Sequence, residues 1–146
     1  MLRYADTSAL VRCYFPDEPD HEELRALLLE GSDPVVTSEL TRVELASAAH
    51  AAHRGGRLPD PAALLAVVDA DCGEDGPIAL LRMQPEAVFG LAAALVAQHP
   101  LRSLDALHLA VARTTAAELA GGEPVVLVTR DHRQAAAAEA LGMAVE

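Results

Sequence analysis

Apolar positions recur along this chain in two styles, short runs bounded by turn residues and longer stretches with helical period. Leu2–Asp6 reads as a short strand. Thr7 and Ser8 then offer capping hydroxyls for a brief helix through Tyr14, which Pro16 ends. The segment from Asp17 to Gly31 predicts a second helix, with acids in its first turn and Gly31 as its stop. Pro34–Thr37 predicts a strand, followed by a helix from Glu39 to Arg54 that Gly55 and Gly56 terminate. Another helix starts at Pro59-Asp60-Pro61 and reaches Cys72, and a Gly-rich turn separates it from a strand over Ile78–Met83. Pro85 opens a helix ending near His99-Pro100, and Ser103 caps the next, which extends to Ala120. Val125–Thr129 is the clearest strand of all. A helix over Asp131–Leu141 and a terminal strand over Met143–Val145 complete the chain. Strands alternating with helices imply an α/β fold with a central parallel sheet covered on both faces, as one domain spanning residues 1–146.

Length changes little in this picture, because 146 residues suit one domain with one core. Composition says how that core is built. Half of the chain is apolar, but with two Phe, two Tyr and no Trp the packing falls to Ala, Leu and Val. Base stacking on aromatic side chains is therefore a poor basis for any nucleic-acid contact. Cys13 and Cys72 have no metal-ligand or redox spacing. No segment approaches the ~18 charge-free apolar residues that a membrane span needs, and no secretory pattern opens the chain. These features predict a cytoplasmic protein with reduced thiols and no membrane association.

The net charge of −11, with all eleven basic residues being Arg, argues against a phosphate-rich partner. The arginines are unevenly spread, however. Arg3, Arg12, Arg42, Arg102, Arg130 and Arg133 all fall close to one of four carboxylates, Asp6, Glu44, Asp105 and Asp131, or on the adjoining elements. Those four sit at a strand end or in a helix beside one, and an open α/β sheet gathers functional groups outside the carboxyl ends of its strands. Two carboxylates ~4 Å apart repel by about 4 kcal/mol at an effective dielectric near 20. A cluster of four calls for a cation, and hard oxygen donors favour Mg²⁺ or Mn²⁺.

Each carboxylate also has a structural reading. Asp6 and Asp131 suit helix N-caps, the latter with Gln134 three positions on as a capping-box pair. Thr41-Arg42-Val43-Glu44 fits a capping box, although Ser38 is an equally good cap and would leave Glu44 inside the helix. Asp105 suits the first turn of a helix, where the dipole favours an acid. His108, one turn further on, reads as a core residue or a support for the site rather than a ligand. His50 and His53 read as solvent-facing residues near a helix end, not as metal ligands.

At these residues the chain resembles the PIN-domain family, and within it the VapC-type toxins of bacterial toxin–antitoxin pairs. The matching pieces are YADTSALVRCYFPDEP, VVTSELTRVELASAAHAAHRGGRL, LRSLDALHLAVA and LVTRDHRQAAAAEALGMAV, which together span nearly the whole chain. Asp6, Glu44, Asp105 and Asp131 match the family's acidic quartet, and Ser8 and Thr129 match polar positions that support it. The resemblance implies an α/β/α sandwich, a Mg²⁺- or Mn²⁺-dependent endoribonuclease with one or two ions, frequent homodimers and a small antitoxin as inhibitor. On that basis Asp6, Asp105 and Asp131, with Glu44 as ligand or base, are the expected metal and catalytic residues. Arg102 and Arg130 are the expected contacts to RNA phosphates. Two other readings stand beside it: a metal-dependent hydrolase of small phosphoesters using the same carboxylates, and a catalytically silent domain whose groove holds a partner helix.

Overall fold

The computed structural model describes residues 1–146. Five short strands form one sheet: β1 (Leu2–Ala5), β2 (Val35–Ser38), β3 (Ile78–Leu81), β4 (Val125–Val128) and β5 (Ala144–Val145). Their order is β3-β2-β1-β4-β5 and every pairing is parallel. Each crossover is helical. The first contains α1 (Thr7–Tyr14) and α2 (His21–Leu28), the second α3 (Leu40–Arg54) and α4 (Pro61–Asp71). The third contains α5 (Pro85–Gln98) and α6 (Ser103–Val111). The latter runs on through a π-helical stretch, Ala112–Ala116, into a final turn, α7 (Ala117–Ala120). Helix α8 (His132–Ala140) connects β4 to β5.

The period of two in the strands sorts the core into two halves. Leu2, Tyr4, Val36 and Leu127 face one side, against Val88 and Leu95 of α5 and Leu109 of α6. Ala5, Val35 and Val128 face the other, against Leu10 of α1 and Leu24 and Leu28 of α2. Helices thus cover both faces, giving the α/β/α sandwich that the alternation of elements predicts. Arg3 shares the second face and is buried with its charge matched by Glu146 (Nε to Oε2, 2.9 Å) and Asp33.

Several boundaries differ from the sequence reading, each for a local reason. Helix α2 starts only at His21. Pro16 and Pro19 hold the preceding residues in turns, and Asp20 lies in the left-handed region at φ 61°. That helix is capped at Leu29, but Gly31 is still needed. A Cβ there would stand 2.6 Å from the carbonyl oxygen of Leu27. Ser103 is the first residue of α6 rather than its cap, which is Arg102. Helix α3 begins at Leu40, whose N–H donates to Ser38 Oγ at 3.2 Å. The π-helical stretch holds Arg113-Thr114-Thr115, and Thr114 Oγ1 donates to the carbonyl of Ala110 at 2.8 Å.

The strand order positions everything that follows. From β1 the chain moves to one side for β2 and β3, then returns to the other side for β4 and β5. Strands β1 and β4 are therefore neighbours whose connections leave in opposite directions, which opens a crevice at their carboxyl ends. Asp6 and the Thr129–Asp131 segment follow directly from those two ends.

Leu127 is fully buried on the central pair of strands. Its replacement by Ala is expected to lower unfolding free energy by about 2–5 kcal/mol, read by denaturant titration.

Candidate active site

Asp6 leaves β1 and caps α1, with its Oδ2 accepting the Ser8 N–H at 2.9 Å. It is only 3 % exposed, so its second oxygen also needs a donor, which Gln134 Nε2 supplies to Oδ1 at 3.1 Å. Asp131 repeats the device one strand away. It caps α8, its Oδ1 accepting the backbone N–H groups of Arg133 (2.8 Å) and Gln134 (2.9 Å). The two strand ends are joined by hydroxyls. Ser8 Oγ meets Thr129 Oγ1 at 3.1 Å, the Arg130 N–H donates to Ser8 Oγ at 2.9 Å, and the Asp131 N–H donates to Thr129 Oγ1 at 3.1 Å.

Glu44 arrives from α3, inside the helix rather than at its start, so the capping-box alternative falls away. Its Oε1 accepts from Thr7 Oγ1 at 3.0 Å and meets His108 Nε2 at 2.5 Å. His108 is fully buried, and its Nδ1 pairs with the Tyr4 hydroxyl at 2.8 Å. Because Nε2 faces a carboxylate, it carries the proton. It also lies 4.0 Å from Asp6 Oδ1. Asp105 enters from the first turn of α6. The four carboxylates thus line one cleft of about 610 Å³ together with Thr7, Ser8 and Arg102.

This crowding has electrostatic consequences. Burial raises Asp105 above the usual carboxylate range, and the charges of Asp6 and Asp131 push it the same way. Burial acts to lower His108, but the hydrogen bond to Glu44 and the charges of Asp6, Glu44 and Asp105 outweigh it and raise the imidazole. The buried Tyr4 hydroxyl is pushed up by desolvation and by Asp6. A cation would relieve this repulsion, and an all-oxygen donor set suits Mg²⁺ or Mn²⁺. No three of these groups stand close enough together to share an ion as placed, with Glu44 turned towards His108 and Thr7. The donor chemistry suits an ion that takes only one or two carboxylates directly and keeps several waters, as magnesium commonly does.

Of the two arginines assigned to RNA, Arg102 lines the cleft. Arg130 is occupied elsewhere, its Nε on Asp20 Oδ2 at 3.0 Å and its Nη1 on the carbonyls of Thr129 and Glu146. Arg12, one of the six arginines noted near the carboxylates, is on the cleft wall and bonds Asp20 at 3.2 Å. His50 and His53 take no part. Thr7 and Gln134 are the contacts that the sequence reading saw only as caps. Gln134 had a usable signal, since it shares the buried stripe of α8 with Ala137 and Ala138 at i+3 and i+4.

A five-stranded parallel α/β/α sandwich with four carboxylates at its switch point defines a recognisable class. The chain belongs to the PIN-domain family, whose model matches residues 3–140, and within it to the VapC type. It is 36 % identical over 143 residues to a protein named ribonuclease VapC35 of Mycobacterium tuberculosis (strain CDC 1551 / Oshkosh), covering 97 % of this chain and 93 % of that one. The fold matches M. tuberculosis VapC20, described as a sarcin-ricin loop cleaving toxin, with TM-score 0.66 and 16 % identity over 92 % and 94 % of the two chains. It also matches a chain of VapBC2 from Rickettsia felis, solved bound to a DNA fragment from its promoter. That match has TM-score 0.64 and 13 % identity, over 100 % and 98 % of the chains.

The raised His108 gives a pH dependence with a defined sign. Its protonation stabilises the fold fully below the ordinary imidazole value of 6.5, and that stability is lost as pH rises through the raised value. The melting temperature in EDTA should fall as pH is raised from 6.5 upward, and His108→Gln should flatten that decline.

Proposed function

We propose that this protein is the endoribonuclease toxin of a toxin–antitoxin pair and that its hydrolysis of RNA depends on Mg²⁺ or Mn²⁺. The observation that carries this reading is the convergence of Asp6, Glu44, Asp105 and Asp131, from four separate elements, on one cleft. The ribonuclease name of a relative 36 % identical over nearly the full chain favours RNA over a small phosphoester. In this reading Asp6, Asp105 and Asp131 would bind one or two ions, each ion taking one or two carboxylates directly and the others, Glu44 included, directly or through water. Such an ion supplies Lewis acidity and makes water a competent nucleophile at neutral pH.

The chain's own residues do the rest. Backbone N–H groups fix one oxygen each of Asp6 and Asp131, so both carboxylates are oriented before anything binds. The Ser8–Thr129 hydroxyl pair ties the two loops that carry them. Tyr4, His108 and Thr7 hold the Glu44 carboxylate from behind. Arg102, on the cleft wall, is the cation best placed for a flanking phosphate, and it offsets part of the charge on Asp105.

The antitoxin would lie across the same cleft. Val11, Val43, Ala48 and Leu104 line it beside the acids, which suits an amphipathic helix carrying a basic group. A structure of similar fold, from Klebsiella pneumoniae, is described as a toxin–antitoxin complex. A homodimer working in the cytoplasm completes the proposal. No helix is long and apolar enough to cross a membrane.

The test is cleavage of total cellular RNA by purified protein in Mn²⁺ or Mg²⁺, against EDTA and Asp105→Asn. Discrete fragments that require both metal and Asp105 are expected. Because the mutation removes a repelled carboxylate, the metal-free Asp105→Asn protein should also melt at or above the parent temperature. Cleavage that persists in EDTA would refute the proposal.

A further inference from the structure

Gln134 touches three of the four acidic residues, two through its side-chain amide and one through its backbone N–H. It is fully buried, and its Nε2 donates to Asp6 Oδ1 at 3.1 Å and to the Asp105 carbonyl at 3.2 Å. Both partners only accept, so the network fixes which end of the amide faces them. Its own N–H donates to Asp131 Oδ1 at 2.9 Å. One residue therefore spans the end of β1, the first turn of α6 and the cap of α8.

The other end of the amide makes the arrangement informative. Gln134 Oε1 is buried and has no hydrogen-bond partner. A residue placed here for packing alone would be apolar and of similar volume, as Met is, in keeping with the apolar Ala137 and Ala138 on the same stripe. Retaining an unsatisfied oxygen makes sense if the Nε2 contacts serve something other than folding. The chemistry of the donor points the same way. A neutral amide orients Asp6 without cancelling its charge, whereas Lys or Arg at this position would compete with a cation for the same oxygen.

We propose that Gln134 is a positioning residue that sets Asp6 and the α6 backbone at Asp105 relative to Asp131, so that the carboxylates receive a divalent cation in a fixed arrangement. This rests on the reading of the cleft as a metal-dependent nuclease site. Removing an orienting partner of a metal ligand commonly costs ~10–100-fold in metal affinity. The loss here should appear in binding itself, apart from turnover.

The experiment is calorimetric titration of Mn²⁺ into the parent and Gln134→Met proteins, with melting of both in EDTA. The Met variant keeps the volume and removes the donor and the orphan oxygen together. Its Mn²⁺ affinity should fall by ~10-fold or more, while its melting temperature in EDTA drops by no more than the few degrees that losing one donor to a buried carboxylate costs. Parent-like Mn²⁺ affinity in the variant would overturn the assignment. A metal-free variant that melts well below the parent would make Gln134 a structural brace and overturn it equally. A parent that binds no Mn²⁺ would remove the metal-site reading itself, an outcome distinct from either.

Discussion

Holding like charges together at the edge of an apolar core is the constraint on which the rest of this structure depends. Asp6 is almost inaccessible to water, and Asp105 is raised by burial and by its acidic neighbours. Left alone, such groups would protonate or pull the strand ends apart. The protein meets this with oriented donors, one of them the buried imidazole of His108. A backbone N–H and an amide serve Asp6, two backbone N–H groups serve Asp131, and a hydroxyl and an imidazole serve Glu44. Each donor holds a carboxylate in place, and the donors to Asp6 and Asp131 are a neutral side-chain amide and backbone N–H groups.

The parallel sheet makes this possible because it brings four distant segments to one crevice. Two of the carboxylates follow the adjacent strands β1 and β4, where the connections diverge. The other two come from α3 and α6, and neither would reach the crevice without the crossovers that wrap the sheet. Capping and site formation are not alternatives here. Asp6 and Asp131 cap their helices with one oxygen, so the same bond that starts the helix also aims the carboxylate.

That double use explains what was legible in the sequence. The alternation of short apolar runs with stretches of helical period specified the sandwich, because local period and turn residues carry that information. Asp6, Glu44, Asp105 and Asp131 could be picked out by their places beside strand ends. Whether each was a cap or a site residue could not be read from spacing, since for two of them both are true. What stayed hidden depends on contacts far apart in the chain. Gln134 meets Asp6 across 128 positions, and Thr7 meets Thr41 and Glu44 across 34 and 37. Arg130 lies close to Asp131 in sequence, yet Asp20, held in a left-handed turn by its proline-rich surroundings, draws its guanidinium away. The π-helical stretch Ala112–Ala116 likewise rests on backbone hydrogen bonds that the apolar pattern of Ser103–Ala120 does not reveal.

The central claim is that this repulsion is built to be relieved by a hard divalent cation. The most direct measurement is the melting temperature of the parent protein in EDTA and in millimolar Mn²⁺ at fixed pH and ionic strength. An ion that binds only the folded state should raise it, by roughly 5–10 °C at 100 times the dissociation constant. A melting temperature indifferent to Mn²⁺ would contradict the account.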